Sequence, residues 1–274
     1  LALAVAAGCE VEAVHVDHGL RAGSQREADR VRAVADRLGA GFRAVGATVE
    51  DGPNLEERAR AARHRALPDG ALLGHTMDDQ AETMLLNLLR GSGPRGMAAM
   101  RADGSRPLLQ IRRAETQLVC RELGIEWICD PSNEDRRFRR NRVRHDLLPL
   151  LGEVAERDVV PVLARQAELF RDEDELLDAL AAELDPTDAA ALRRAPVAQD
   201  RTALRARATG ARRAVRSWIV ATTGSGHPPD AATVGRALDV AANRTRACEI
   251  GDGWRLARTE GRLRLERSGS VPAP

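Results

Sequence analysis

"VEAVHVDHGLR", residues 11 to 21, decides the fold. Its valine-rich first half reads as a strand buried in a sheet, and its polar second half as the loop at that strand's C-terminal end. Ser24 and Glu27 follow with the S-x-x-E spacing of a capping box, which predicts a helix running to Gly39. "FRAVGATV" (42–49) predicts a second, weaker strand. Asn54 and Glu57, just after Pro53, predict a helix to about Leu67. "PDG" (68–70) then turns the chain into a short strand, "ALLG" (71–74). Upstream, residues 1 to 7 read as the end of a helix closed by Gly8. Strands alternating with helices imply an α/β fold with a parallel sheet. Ligands of such sheets sit beyond the carboxyl ends of the strands. Both outer predicted strands carry His and Asp there, in "VDHGLR" and in "GHTMDD".

Composition narrows the class. A chain of 274 residues buries a real core and favours two domains over one. No apolar run approaches the roughly 18 residues of a membrane span, and no signal peptide is recognisable. Cys9, Cys120, Cys129 and Cys248 are scattered without a CxxC pair, so neither a zinc site nor a disulfide framework is indicated. A cytoplasmic location is the expectation. Net charge is only +1, yet all 42 basic residues are arginine, and lysine and tyrosine are absent. GC-rich coding accounts for the swap, so the information lies in where the arginines cluster.

Acids cluster in "LGHTMDDQAETMLLNLLRGSG" (73–93). Ala81, Met84, Leu85, Leu88 and Leu89 recur at helical spacing and predict one buried face. Thr76 suits the N-cap with Asp79 as the capping-box acid, and acids in a first turn gain about 0.3–1 kcal/mol each from the helix dipole. Capping thus accounts for Asp78 and Asp79. It leaves Glu82 unexplained, because like charges one turn apart repel. Three carboxylates so placed suit a bound cation, either an ammonium group or a metal. His75 is equally suited to a loop contact, a phosphate or proton transfer.

Beyond residue 105 the texture changes to a loop, a helix over about 114–123 and an arginine-dense helix. "RRFRRNRVR" (136–144) holds six arginines in nine positions. Arg136, Arg140 and Arg144 share one predicted helical face, and Val143, Leu147 and Leu151 form its apolar stripe. A merely solvated face mixes signs; this one has a single sign and includes Asn141, which points to a polyanion gripped by forked guanidiniums. A second basic region, Arg193 to Arg216, extends that surface. Residues 153–245 are helical in pattern, the end alternates like an antiparallel hairpin, and "GSVPAP" reads as disordered.

Together "HVDHGLR" (15–21), "NLEERARAARHRAL" (54–67), "LLGHTMDDQAETMLLNLLRGSG" (72–93), "RPLL" (106–109) and "WICDPSNEDRRFRRNRVRHDLLP" (127–149) resemble one family. It is the bacterial tRNA(Ile)-lysidine synthetases, of the PP-loop ATP pyrophosphatase superfamily, and the likeness covers roughly residues 1 to 220. It implies an α/β, parallel-sheet PP-loop domain (adenine nucleotide α-hydrolase-like) over 1–148. A smaller, mostly helical tRNA-binding domain over 149–268 would follow, ending in a β-hairpin, with a disordered tail at 269–274. The implied chemistry adenylates C2 of the wobble cytidine of a CAU-anticodon tRNA(Ile) with ATP and Mg2+, and free L-lysine then displaces AMP. The resemblance gives catalytic roles to His75, Asp78, Asp79, Glu82 and Arg144, with Asp79 and Glu82 facing the lysine. It gives ATP to Asp17, His18, Gly19, Arg21, Gly74 and His75. The tRNA falls to Arg90, Arg106, Arg113, Arg136, Arg140, Asn141 and Arg144; no metal ligand is assigned, no membrane is involved, and a homodimer is allowed.

The chain departs from the family pattern in three places. It opens where the SGGxDS phosphate loop should just have ended, so weak ATP binding is expected of it. "LPDG" (67–70) is short, and "QDRTALRARATG" (199–210) reads as extra material. Two other functions compete with ligation. A PP-loop thiolation enzyme would favour paired cysteines, which are missing, and a catalytically dead remnant would bind tRNA without releasing diphosphate.

Overall fold

The computed structural model describes residues 1–17, 24–47, 55–127, 131–193, 201–225 and 228–268. His18, Gly19, Arg21 and Cys129 lie outside them. The chain divides into two compact units, Leu1–Ala167 and Glu168–Pro274.

The first unit opens with a short helix, α1 (Ala2–Ala6), closed by Gly8 at φ +77°. Strand β1 (Glu12–Asp17), helix α2 (Ser24–Leu38) and strand β2 (Gly41–Gly46) follow. β1 and β2 pair in parallel, Glu12 opposite Gly41 through to Asp17 opposite Gly46. Parallel neighbours need a crossover, and α2 supplies it. Gly39, at φ +69°, ends that helix where a side chain would be strained, and the Ala40 N–H returns to the Ala35 carbonyl. Arg37 in its last turn donates to the carbonyls of Leu123 and Gly124, at 2.7 and 3.1 Å.

Helix α3 (Leu55–Ala66) comes next, then an extended stretch, then α4 (Met77–Leu89) and α5 (Pro94–Met97). The expected strand at 71–74 does not form. Leu73 donates one backbone bond to Ser105 and Met77 one to Ile111, both in irregular chain, so no ladder builds. Leu72 is 58% exposed, unlike a residue of a buried central strand. Among the described residues the parallel sheet therefore has two strands.

Helix α6 (Arg113–Glu122) precedes a 3-10 turn (Pro131–Glu134) and α7 (Arg139–Arg142). A π-helical turn (Val143–Leu147) carries α7 into α8 (Leu148–Ala155). Ala81 and Leu85 of α4 are buried with Val143, Leu148 and Val160, and Leu147 and Leu151 pack around them, so the predicted apolar stripe does face the core. The predicted α4 face is narrower than expected. Ala81, Met84 and Leu85 are buried, but Leu88 and Leu89 point outward. Polar bonds hold α4 as well: Gln80, in its first turn, exchanges two with the Met100 backbone, and Asn87, near its C-terminal end, donates to the Gly96 carbonyl.

Helix α9 (Val160–Ala182) contains the division between the units. The second unit goes on through α10 (Ala189–Arg193), α11 (Arg201–Thr223) and α12 (Ala231–Ala241). It ends in β3 (Ala247–Gly251), β4 (Trp254–Thr259) and β5 (Arg262–Arg267), an antiparallel meander with one strand more than the expected hairpin. Val215 and Ile219 of α11, Val234, Ala237 and Val240 of α12, and Leu256 and Leu263 of the sheet form its core. Most of "QDRTALRARATG" lies in the first turns of α11. Arg213, inside the second basic region, is half-buried and pairs with Asp174 and Asp178, so its charge is compensated within the unit.

Candidate active site

The site is built where α4 begins. Asp79 Oδ2 accepts from the backbone N–H and hydroxyl of Thr76, at 2.9 and 2.8 Å, completing the capping box read from the sequence. Capping uses only that oxygen. Oδ1 of Asp79 accepts from Arg113 and Arg140, at 3.0 and 3.1 Å. One turn further, Glu82 has no exposed surface at all. Three guanidiniums converge on it: Arg113 at 3.1 Å, Arg140 Nε at 2.7 Å, and Arg144 through Nε at 2.7 Å and Nη2 at 3.1 Å. The cation that Glu82 requires is thus supplied by the protein's own arginines.

Asp78 faces the other way. It accepts from Arg112 through Nε and Nη2, both at 3.2 Å, and from the first backbone N–H of α6, that of Arg113, at 2.7 Å. Arg112 also pairs with Asp158, whose second oxygen caps α9 by accepting from Val160 N at 3.0 Å. Asp78, Asp79, Glu82 and Asp158 therefore face Arg112, Arg113, Arg140 and Arg144, and the formal charges balance.

Burial alone would push the Asp78 carboxyl up, but the Arg112 hydrogen bond, the Arg113 N–H and both positive charges hold it below the usual carboxylate range. Asp79 is treated likewise: burial raises it, and the Thr76 N–H, Arg113, the Thr76 hydroxyl and Arg140 lower it further than that. Arg144 is desolvated, yet Glu82 and the two aspartates raise it above the ordinary guanidinium value. Both aspartates are thus anionic at neutral pH and poor proton acceptors. Beside them opens a cavity of about 300 Å³. Asp78, Glu82, Arg112, Arg113, Arg144 and Asp158 form its polar side, and Leu148, Pro149, Val159 and Val160 its apolar wall.

The structure brings together Asp78, Asp79, Glu82, Arg113, Arg140 and Arg144 of the residues singled out in the sequence. Gly74 and His75 lie in the extended stretch just before, and Asp17 ends β1. Arg136 is not on the arginine helix. Phe138 is the N-cap of α7, Arg136 sits in the preceding turn, and it pairs with Asp146. Asn141 is buried and donates to the Asp135 carbonyl at 2.9 Å, fastening that turn. Arg90 is the exposed C-cap of α4, and Arg106 pairs with Asp103 at 3.3 Å. Arg112 and Asp158 were not singled out. The doubled arginine in "QIRRAE" and the cap-like Asp before "VVP" were the signals for them. Among the described residues no group of three or more His, Cys, Asp or Glu side chains is placed to hold a metal ion.

Comparison with known proteins identifies the family. A PP-loop domain model matches residues 1–151. The tRNA(Ile)-lysidine synthase of Nocardia farcinica is 41% identical across 99% of this chain and 89% of its own length. That of Mycolicibacterium paratuberculosis is 46% identical across 76% of this chain and 67% of its own. Among solved structures, a U34-tRNA thiolase from Methanococcus maripaludis superposes with a TM-score of 0.48 at 16% identity, over 59% of this chain and 63% of that one. That match is too remote to carry an argument about chemistry. A domain model covering more than half of the chain, and a relative matched along nearly its whole length, place the protein: it belongs to the tRNA(Ile)-lysidine synthase family, tRNA-modifying ligases, and its first 151 residues are a PP-loop ATP-binding domain.

Proposed function

We propose that the protein joins free lysine, through its side-chain amine, to C2 of the wobble cytidine in a tRNA(Ile) with a CAU anticodon. ATP first adenylates the cytidine at its C2 oxygen and diphosphate leaves; the lysine ammonium then gives a proton to water, and the free amine attacks C2 and displaces AMP, leaving lysidine. The observation that supports this most directly is the convergence of Asp79 and Glu82 with Arg113, Arg140 and Arg144 inside a PP-loop domain. A site holding several cations against two acids has the charge pattern that an ammonium substrate and a polyanionic RNA both need.

In this scheme Asp79 and Glu82 take the lysine ammonium in place of the guanidiniums they hold at rest. Because Asp79 is held below the usual carboxylate range, it binds the cation rather than removing its proton. Arg140 and Arg144, released by that exchange, turn to RNA phosphate and the target base, for which forked donors are suited. His75 and Asp78 flank the activated base, and Asp17 and Gly74 lie toward ATP. The acids of α4 do not fit a divalent metal, since each already accepts from arginine. Magnesium in this scheme arrives on the nucleotide's phosphates.

The test supplies the protein with ATP, Mg2+, an unmodified CAU-anticodon tRNA(Ile) and labelled lysine. Label incorporated into that tRNA, with one diphosphate released per lysine, is the expected result. Bound tRNA with no incorporation contradicts it.

A further inference from the structure

Resting on that reading of the site, we infer that Arg112 determines which amine is accepted, by taking the α-carboxylate of the amino-acid substrate in exchange for Asp158. The residues assigned above address only one end of a lysine molecule. Its ammonium goes to Asp79 and Glu82, which leaves four methylenes and a zwitterionic head without partners.

The cavity offers both. Leu148, Pro149, Val159 and Val160 give it an apolar wall beside the acids, fitting the methylene stem. On the polar side, Arg112 is the arginine best placed to accept a new anion. Arg140 and Arg144, which the ammonium releases, go to the RNA in this scheme, and Arg113 stays on the fully buried Glu82, where its departure would leave a charge poorly compensated. Arg112 does not touch Glu82. Nε and Nη2 are fixed by Asp78, which is 16% exposed, while Nη1 is given to Asp158, which is 51% exposed. A half-exposed partner is released to water at little cost. Asp158 keeps its cap on Val160 through the other oxygen whether or not Arg112 leaves it. Nη1 then donates to the substrate carboxylate while Asp78 still aims the guanidinium. No bond is made or broken in this step.

Equilibrium binding of L-lysine and of 1,5-diaminopentane, the same amine without its carboxylate, tests the assignment directly. R112Q should weaken lysine about tenfold to a hundredfold, the size of a lost charge-assisted hydrogen bond, and leave the diamine unchanged. D158N keeps an oxygen for the cap and removes the charge that competes for Arg112. It should tighten lysine several-fold without affecting the diamine, an outcome that damage to the fold does not produce. Lysine affinity unchanged in both variants, or lysine and diamine weakened together by R112Q, overturns the role of Arg112 and leaves the ligase reading standing. Inorganic phosphate that binds the wild type but not R112Q, with lysine indifferent, assigns the arginine to a phosphate and also overturns it. A wild-type protein that binds neither amine, with tRNA bound, overturns the underlying reading as well.

Discussion

Glu82 is the residue on which the site turns, since it is fully buried and its charge is met by guanidiniums from three places in the chain. Replacing it with glutamine preserves the shape and one acceptor oxygen. It also removes the charge and sets an amide donor against guanidinium donors, leaving three arginines under-partnered in a poorly hydrated place. E82Q should therefore lower the unfolding free energy by about 2–3 kcal/mol, a large part of the roughly 5–15 kcal/mol typical of a folded protein. Urea denaturation of the two proteins measures this as a shifted midpoint at constant slope. A change under about 0.5 kcal/mol would mean that the arginines find water instead, and that Glu82 is dispensable to the fold.

At the scale of elements, what the sequence discloses and what it hides separate on physical grounds. β1, α2, β2, α4 and α6 form close to where their patterns place them, because capping, periodicity and glycine stops are local. The Thr76–Asp79 capping box was legible for the same reason. The strand at 71–74 was not, because a strand exists only through a neighbour, and residues 105 and 111 offer isolated carbonyls rather than an edge. The acids and the arginines were each visible, but their pairing was not, since the partners stand 31 to 62 residues apart. Its absence from the sequence let the arginine run look uncompensated. Arg136 and Arg137 pair with Asp146 and Asp135, and Arg140 and Arg144 with the α4 acids. Among the described residues Arg139 and Arg142 form no ion pair, and both are exposed. These two, on α7, should carry the salt-sensitive grip on RNA. The double variant R139A/R142A should reduce the slope of log affinity for tRNA against log salt by roughly 1.4 to 1.8, at about 0.7–0.9 per lost phosphate contact. Thermal stability should stay where it is, because neither side chain holds the fold. An unaltered slope would return the RNA contact to the paired arginines.

For the whole molecule, 42 arginines against 41 acids leave a net charge of +1, so no strong overall field draws in a polyanion. Attraction has to come from locally unpaired groups or from internal pairs that open. The site in the first unit is of the second kind, with four carboxylates closed by four guanidiniums. An RNA phosphate competes for the arginines and an ammonium competes for the acids, so each ligand removes the other's competitor. Binding of the two should therefore be positively coupled. The coupling is reciprocal by linkage: whatever factor RNA adds to lysine affinity, lysine adds to RNA affinity. Lysine titrations with and without a saturating, unmodified CAU anticodon stem-loop, in the absence of ATP, measure it free of turnover. The expected result is lysine binding at least about fivefold tighter with the RNA present, at the lower end of common coupling energies. The factor should shrink in D79N, where one acceptor shared by Arg113 and Arg140 is already neutral. Lysine affinity indifferent to RNA would mean that the guanidiniums stay on their acids throughout, and that lysine reaches the site by a route that leaves those pairs closed.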